Sequence, residues 1–524
     1  MRGEHGLVAA VEAQATRAGV GLLEQGGNAV DAAVGVAYAL AVTHPSAGNL
    51  GGGGFMLVRM RGQPTVAIDF RELAPAAMNR DVLKAIIAAK AAGPKAVAVP
   101  GTVAGLNLAH TRFGSLPLAK VLGPAIELAR RGHRVSDREA LTVRWAWPAL
   151  GRDPASRREF GDQGRPRRKS SVFRRPELAT VLERIAREGD RGFYQGPTAK
   201  ALVQGTLLSL DDLASYRAVV REPLVFDYRG FRVETMPPPS AGGVALAESL
   251  LALEKLGAER SAAESAEELH LLLEVGRRAQ AERRLSVVDP DSLREDELRA
   301  RRARWLDPLT LLELGPPIDP KRATPSAALP ALYQAASSEL EHTTHLSVVD
   351  GQGNVVSLTT TLSAGFGAKL TAPGTGVVLN NSLAAFGSVG ENLAASRRRP
   401  TSSMAPTLVL RNAEPVLVLG TPGGDTIPST LVQVLRHLVD HGMTIDQAVD
   451  APRVHHCFVP DEFRYEASHP LSPSVLGALK ALGHTVSRKR TVMGDANSIL
   501  IAGNVAWGYA DPREGGVALG ARAR

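Results

Sequence analysis

Residues 341–362 read "EHTTHLSVVDGQGNVVSLTTTL", two runs in which apolar positions alternate with hydroxyl or imidazole side chains. A period of two belongs to a strand whose faces have different surroundings. The "DGQGN" between the runs predicts a hairpin turn. A turn centred on Gln352 places Thr343 opposite Thr361, His345 opposite Thr359 and Ser347 opposite Ser357. Opposed side chains share a face, with Cβ atoms about 4.5–5.5 Å apart, so the Thr361 hydroxyl comes within reach of Thr343. Two readings stay open: a surface hairpin whose threonines merely suit a strand, or the carrier of a nucleophile.

Elsewhere the pattern separates two textures. Residues 8–60 predict helix, turn, helix, glycine loop and strand, with Asn28 capping the second helix and Asp31 three residues on. "AVDAAVGVAYALAV", residues 29–42, is too short to span a bilayer and contains Asp31, so it predicts a buried helix. "GNLGGGGFMLVRM" predicts close backbone approach before a strand. It lacks the Lys-Ser/Thr of a phosphate loop. "TVAIDFREL" predicts a strand ending at Arg71 and Glu72, and residues 80–135, 176–200, 206–220 and 262–304 are mainly helical. In "YRGFRVETMPPPSAGG" a strand, a proline turn and a glycine turn precede a helix from about 244. Residues 305–342 predict an exposed linker. After 343 strands dominate, apart from a helix at about 428–441.

The chain has 524 residues, 44% hydrophobic and 22% charged, which is a globular composition able to bury a large core. One cysteine, Cys457, rules out an internal disulfide. Residues 1–10 have no leader-like apolar core. The chain as given therefore reads as cytoplasmic, or as periplasmic or secreted if the true start lies upstream. Of the net charge of +8, residues 151–175 carry +6, with nine basic and three acidic side chains. No aromatic interleaving accompanies them, so a solvated loop is expected, with no nucleic-acid or membrane partner. His342, His345, His455 and His456 could suggest a metal, but strand residues three apart face opposite ways, so neither metal nor cofactor is expected.

A threonine hydroxyl needs a base to act as a nucleophile. A cut before Thr343 would place an α-amino group on that residue, with a pKa of about 7.7–8.0, suited to general-base work. The precursor must activate Thr343 in another way. Acyl transfer also needs donors for an oxyanion. The Gly423–Gly424 turn of "LGTPGGDTIPSTLVQVL" could supply them, though a purely structural turn is the default.

Taken in order, "GGNAVDAAV", "GNLGGGGFMLVR", "DFRELAP", "FYQG", "PPPSAGG", "TTHLSVVDGQGNVVSLT", "GVVLNN", "RRPTSSMAPTLVL", "TPGGD", "APRVHH" and "DPR" resemble the gamma-glutamyltranspeptidase family of N-terminal-nucleophile hydrolases. They extend over nearly the whole chain. The resemblance implies an α+β, four-layer αββα sandwich formed jointly by two subunits, 1–342 and 343–524, cut from one precursor at His342–Thr343. It implies Thr343 as nucleophile, Thr361 as its hydrogen-bonding partner, and Gly423 and Gly424 at the oxyanion. Arg71, Ser402 and Ser403 match the residues that bind the substrate α-carboxylate. A guanidinium suits that task because it can grip a carboxylate with two bonds. An ion pair with Glu72 is the plain alternative for Arg71.

The departures from the family lie around the α-amino group. Ser363 stands where the family usually has asparagine. "NNSLAAF", residues 380–386, replaces "NNQMDDF", so that Ser382 stands for the glutamine and Ala385 for the acid. The short stretch between Phe386 and Pro400 lacks the lid loop of some members. The implied substrates are a γ-glutamyl or glutaryl-like donor and water or an amine or peptide acceptor. A glutaryl-type acylase, a poly-γ-glutamate hydrolase and a non-catalytic binding relative are the alternatives.

Overall fold

In the computed structural model the hairpin consists of Thr343–Asp350 and Val355–Thr361, antiparallel, with Thr343 opposite Thr361, His345 opposite Thr359 and Ser347 opposite Ser357. Asp350 closes the turn, its Oδ1 accepting from the amides of Gln352 at 2.9 Å and Asn354 at 3.0 Å. The structure describes residues 1–330, 342–387, 390–489 and 492–523.

The hairpin lies inside a sheet of seven strands, in the spatial order Val517–Gly520, Gly6–Ala10, Thr343–Asp350, Val355–Thr361, Gly53–Arg59, Val66–Phe70, Val219–Arg221. A second sheet of seven runs Arg2–Gly3, Val505–Tyr509, Ser498–Ala502, Glu414–Leu419, Thr407–Arg411, Phe231–Thr235, Leu224–Tyr228. Alternation assigns each face. Leu346, Val348, Val356 and Leu358 pack with helices Ala13–Glu24 and Ala29–Thr43, the latter buried at every position. Leu7, Phe55, Leu57, Val349 and Val355 meet Val233, Leu408, Leu417 and Ile499 of the second sheet. Helices Ala241–Lys255, Ala266–Ser286 and Ile427–Val439 cover the far side of that sheet through Leu246, Val275, Leu431 and Leu435. The result is an α+β sandwich of layers αββα.

The hydroxyl stripe faces the gap between the sheets. Ser347 Oγ donates to the Asn497 carbonyl at 2.8 Å and Ser357 Oγ to the Leu419 carbonyl at 2.9 Å. These are carbonyls at the ends of the second sheet's strands. The pattern that could have been a surface device is thus the polar seam of a buried interface.

The capping box forms as expected: Asn28 accepts from the amides of Val30 and Asp31, and Asp31 accepts from that of Asn28. The glycine run is there for close packing. A Cβ at Gly52 would lie 2.0 Å from the Thr361 carbonyl oxygen, and one at Gly54 would lie 2.3 Å from that of Thr359.

Other expectations are corrected. The chain enters through strand Gly6–Ala10 before its first helix. Gly242 and Gly243 form no turn; they open helix Ala241–Lys255, where a Cβ at Gly242 would meet the Ser403 carbonyl at 1.9 Å. Strands weigh more heavily after 343, as expected, yet both sheets draw on both halves of the chain. The basic stretch 151–175 contains helix Pro154–Phe160, and its Arg175 is buried, donating to Glu159, Ala41 and Gly376. Within the expected linker, Leu311 and Leu329 are buried; residues 331–341 lie outside the described residues. Among the described residues no helix is long and apolar enough to cross a membrane.

Candidate active site

The hairpin's open end carries the candidate nucleophile. Thr343 Oγ1 donates to Thr361 Oγ1 at 3.3 Å, and Thr361 Oγ1 donates to the His342 carbonyl oxygen at 3.0 Å. The Ser363 amide donates to the same Thr361 oxygen at 2.8 Å. The Thr361 hydroxyl therefore links the Thr343 hydroxyl to the carbonyl of the His342–Thr343 peptide. Ser363 has φ +77°, a left-handed conformation that asparagine tolerates better than serine. Below Thr343 on the same face, His345 bonds Thr359 at 2.9 Å and Ser347 at 3.0 Å. Burial holds its imidazole down to about 3, so it is neutral.

From Thr361 the structure runs without a break to Arg71. The Asn381 amide donates to the Leu362 carbonyl at 3.1 Å, and Asn381 Oδ1 accepts from the Ala364 amide at 2.8 Å. Next to Asn381, Ser382 Oγ donates to Glu72 Oε1 at 2.7 Å, and Glu72 Oε2 accepts from Arg71 Nη1 at 2.7 Å. Arg71 Nε and Nη2 donate to the carbonyls of Pro400 at 3.1 Å and Thr401 at 3.3 Å, immediately before Ser402 and Ser403. Both serines are buried. The ion pair with Glu72 exists, but it is buried, with Arg71 only 2% exposed. It fixes one edge of the guanidinium. Ala385 closes the short helical turn Ser382–Ala385, and Asn392 Nδ2 holds its carbonyl at 2.8 Å.

The glycine turn reaches the hairpin from the second sheet. Strand Glu414–Leu419 ends, and a Cβ at Gly420 would lie 2.1 Å from the His345 ring. Gly423 at φ +128° and Gly424 at φ +55° then lead into helix Ile427–Val439. Such angles leave backbone amides free to converge, and they favour glycine.

The four histidines weighed as metal ligands go separate ways. His345 serves the hairpin, His455 bonds Ser429, His456 bonds Arg277, and His342 packs against Gly365. His270, Glu274 and His484 do lie together, but Glu274 is bound by Arg277 and Arg278, whose charges already neutralise it. Sequence reasoning missed Glu72 as a hub, and it missed Asp495, whose amide donates to Thr421 Oγ1 at 2.8 Å just before the glycine turn. Asp495 is fully buried beside Gly494, and burial followed by Asp511 raises its carboxyl. No spacing rule marks such residues, because tertiary contacts alone bring them to the site.

The layered sheets, with a threonine at the head of a central strand, define an N-terminal-nucleophile hydrolase fold. The gamma-glutamyltranspeptidase sequence pattern matches residues 15–521, and the chain belongs to that family of enzymes. It is 38% identical to a glutathione hydrolase proenzyme of Escherichia coli, over 98% of this chain and 91% of that protein. It is 34% identical to an acylase proenzyme, ACY 1, of a Pseudomonas species, over 95% and 90% of the two chains. Cephalosporin acylase from Bacillus halodurans superimposes with a TM-score of 0.85, covering 100% of this chain and 97% of that one at 25% identity. Helicobacter pylori gamma-glutamyltranspeptidase gives 0.57 at 31% identity, over 62% and 96%.

Proposed function

We propose that the protein is an autoprocessing acyl-transfer enzyme that takes γ-glutamyl or similar amides through an ester on Thr343 and passes the acyl group to water or an amine. The observation that carries this reading is the Thr343–Thr361–His342 hydrogen-bond chain. In the precursor, Thr343 Oγ1 bonds to the His342 carbonyl carbon. Its proton passes to Thr361, whose own proton goes to the carbonyl oxygen, so the adduct stays neutral. Collapse breaks the C–N bond and returns that proton to nitrogen. The products are an ester on Thr343 and a free α-amine, and water then releases the His342 carboxylate.

In the processed enzyme the α-amine serves as base when Thr343 Oγ1 attacks a substrate amide. The proton it takes leaves with the departing amine. The amides at Gly423–Gly424 stabilise the oxyanion. Arg71, with Ser402 and Ser403, holds the α-carboxylate. Ser363 and Ser382 are what remains of the α-amino contacts. The large subunit is 1–342 and the small subunit 343–524. Glutathione hydrolase and acylase proenzymes among the relatives support this class.

Maturation tests it. The purified protein should give two bands, the smaller beginning Thr-Thr-His-Leu. Thr343→Ala and Thr361→Val should remain single inactive chains, whereas Thr361→Ser should mature. An uncut, fully active wild-type chain would overturn the reading.

A second reading, a glutaryl-type acylase, is favoured by one observation: Ser382 is already committed to Glu72, and Ala385 brings no charge.

A further inference from the structure

The basic stretch 151–175, which carries +6 of the net charge of +8, has no part in the chemistry above. Its surface portion is a fixed structure rather than a free loop. Gln163 and Gly164, both left-handed, turn the chain so that Asp162 pairs with Arg165 across a short antiparallel ladder. Arg167 Nε donates to the Glu159 carbonyl at 3.2 Å, and its guanidinium lies 4.3 Å from the centre of the Phe173 ring. Lys169 Nζ donates to Asp137 Oδ2 at 2.7 Å, and the Ser170 amide donates to the Val135 carbonyl at 2.8 Å. These bonds hold residues 165–169 alongside helix Asp137–Leu150 and leave a groove of about 600 Å³ between them.

The groove has two characters. Ala140, Leu141 and Pro166, all half-buried, give it apolar lining, while Arg144, Arg165 and Arg168 stand exposed along it. Among the described residues those three arginines have no ion-pair or side-chain hydrogen-bond partner. The helix and the segment set two exposed acids against them, Asp137 and Asp162, and Lys169 takes the first. Trp145 follows Arg144, one turn beyond Leu141 on the same helix, and is 70% exposed. The lack of aromatic residues within 151–175 argues against a membrane partner, but the helix supplies an indole from outside that stretch. An indole beside arginines suits the headgroup zone of a bilayer, where the ring is covered and its N–H stays hydrated.

We propose that this face docks on an anionic phospholipid surface. Arg144, Arg165 and Arg168 hold lipid phosphates, to which a guanidinium can make two bonds. The apolar lining receives the glycerol and first methylenes of a lipid, and Trp145 enters the interface. Cationic sides over an apolar lining favour an amphiphile. A single-stranded nucleic acid would instead ask for several stacking rings, where this face exposes one indole. The docking is independent of the proposed chemistry at Thr343.

Sedimentation with vesicles tests it. The purified protein should bind phosphatidylcholine vesicles that contain phosphatidylglycerol, should not bind phosphatidylcholine alone, and should be released as salt rises. Arg144→Gln, Arg165→Gln and Arg168→Gln together should weaken partitioning by about a hundredfold. The same loss of charge at Arg17, Arg191 and Lys200, exposed elsewhere on the molecule, should change it little. Both triple variants alter surface side chains only and should keep the wild-type melting temperature. On binding, the tryptophan emission of the wild type should shift to the blue, and Trp145→Phe should remove that shift. Equal binding to neutral vesicles, no binding to either, or a groove variant that partitions like the charge-matched one overturns the proposal. Retention of single-stranded DNA without binding to vesicles overturns it as well, and makes the face one for nucleic acid.

Discussion

At the scale of single residues, the proposed site turns on where charge is kept and where it is missing. Arg71 is buried and its guanidinium is fixed by Glu72 and two carbonyls, so its orientation is set before a substrate arrives. Removing a charge-assisted bond to an α-carboxylate costs about 1.5–3 kcal/mol. Arg71→Ala should therefore lower kcat/KM by about ten- to a hundredfold on a donor with an α-carboxylate. Arg71→Lys should recover only part, because the planar fork is lost. Unchanged kinetics would take Arg71 out of the site. Opposite in kind is Ala385, where an acid would hold an ammonium. Its absence should leave γ-glutamyl and glutaryl p-nitroanilides poorly discriminated, by less than about a hundredfold in kcat/KM. Ala385→Asp should shift preference toward the γ-glutamyl donor. Strong γ-glutamyl preference in the wild type would mean that another acid holds the amino group.

At the scale of elements, much was legible and each miss has its own physical cause. The hairpin register, the Asn28 cap and the buried helix could be read because they rest on local periodicity and local hydrogen bonds. Arg71 and Ser382 could be named from motif order, yet their joining through Glu72 could not, since residues 72 and 382 are far apart in sequence. Strand Gly6–Ala10 escaped because both its faces are buried, which erases alternation. The stretch "PPPSAGG" looked like a turn because small residues signal loops as well as close packing. Glycine's second meaning is testable at Gly52, where a Cβ would stand 2.0 Å from the Thr361 carbonyl oxygen. Backbone cannot yield as a flexible side chain does, so Gly52→Ala should destabilise by about 1–3 kcal/mol. It should also disturb Thr361 and slow maturation. Gly477→Ala, on helix Pro473–Ala481 with open space around it, should not affect maturation. A Gly52→Ala chain that is cut and folded like wild type would show that the two strands can part without consequence.

At the scale of the whole molecule, burying so many imidazoles makes stability a function of pH. Burial holds His345 at about 3 and His455 and His484 at about 4, against an ordinary value of 6.5. At His484 the Arg277 charge beside it reinforces the effect of burial. All three groups are neutral in the folded chain at pH 5, whereas in the unfolded chain they are protonated. Below pH 6.5 the unfolded state therefore binds more protons, and stability is lost as pH falls toward 4. Asp495 runs the other way. Its raised carboxyl keeps a proton that the unfolded chain gives up, so its contribution is present at low pH and is lost as pH rises through the folded value. The imidazoles held down by burial, His342 among them, outnumber it, and each net proton taken up by the unfolded chain contributes about 1.4 kcal/mol per pH unit. The urea midpoint should accordingly fall steeply from about pH 6.5 to about pH 4.5, with little change in the m-value. His455→Gln, which removes one buried imidazole bonded to Ser429, should flatten that slope, and Asp495→Asn should steepen it. A midpoint that stays level or rises over this range would mean that the histidines become protonated inside the fold, and that the packing between the two sheets and their helices is looser than these contacts require.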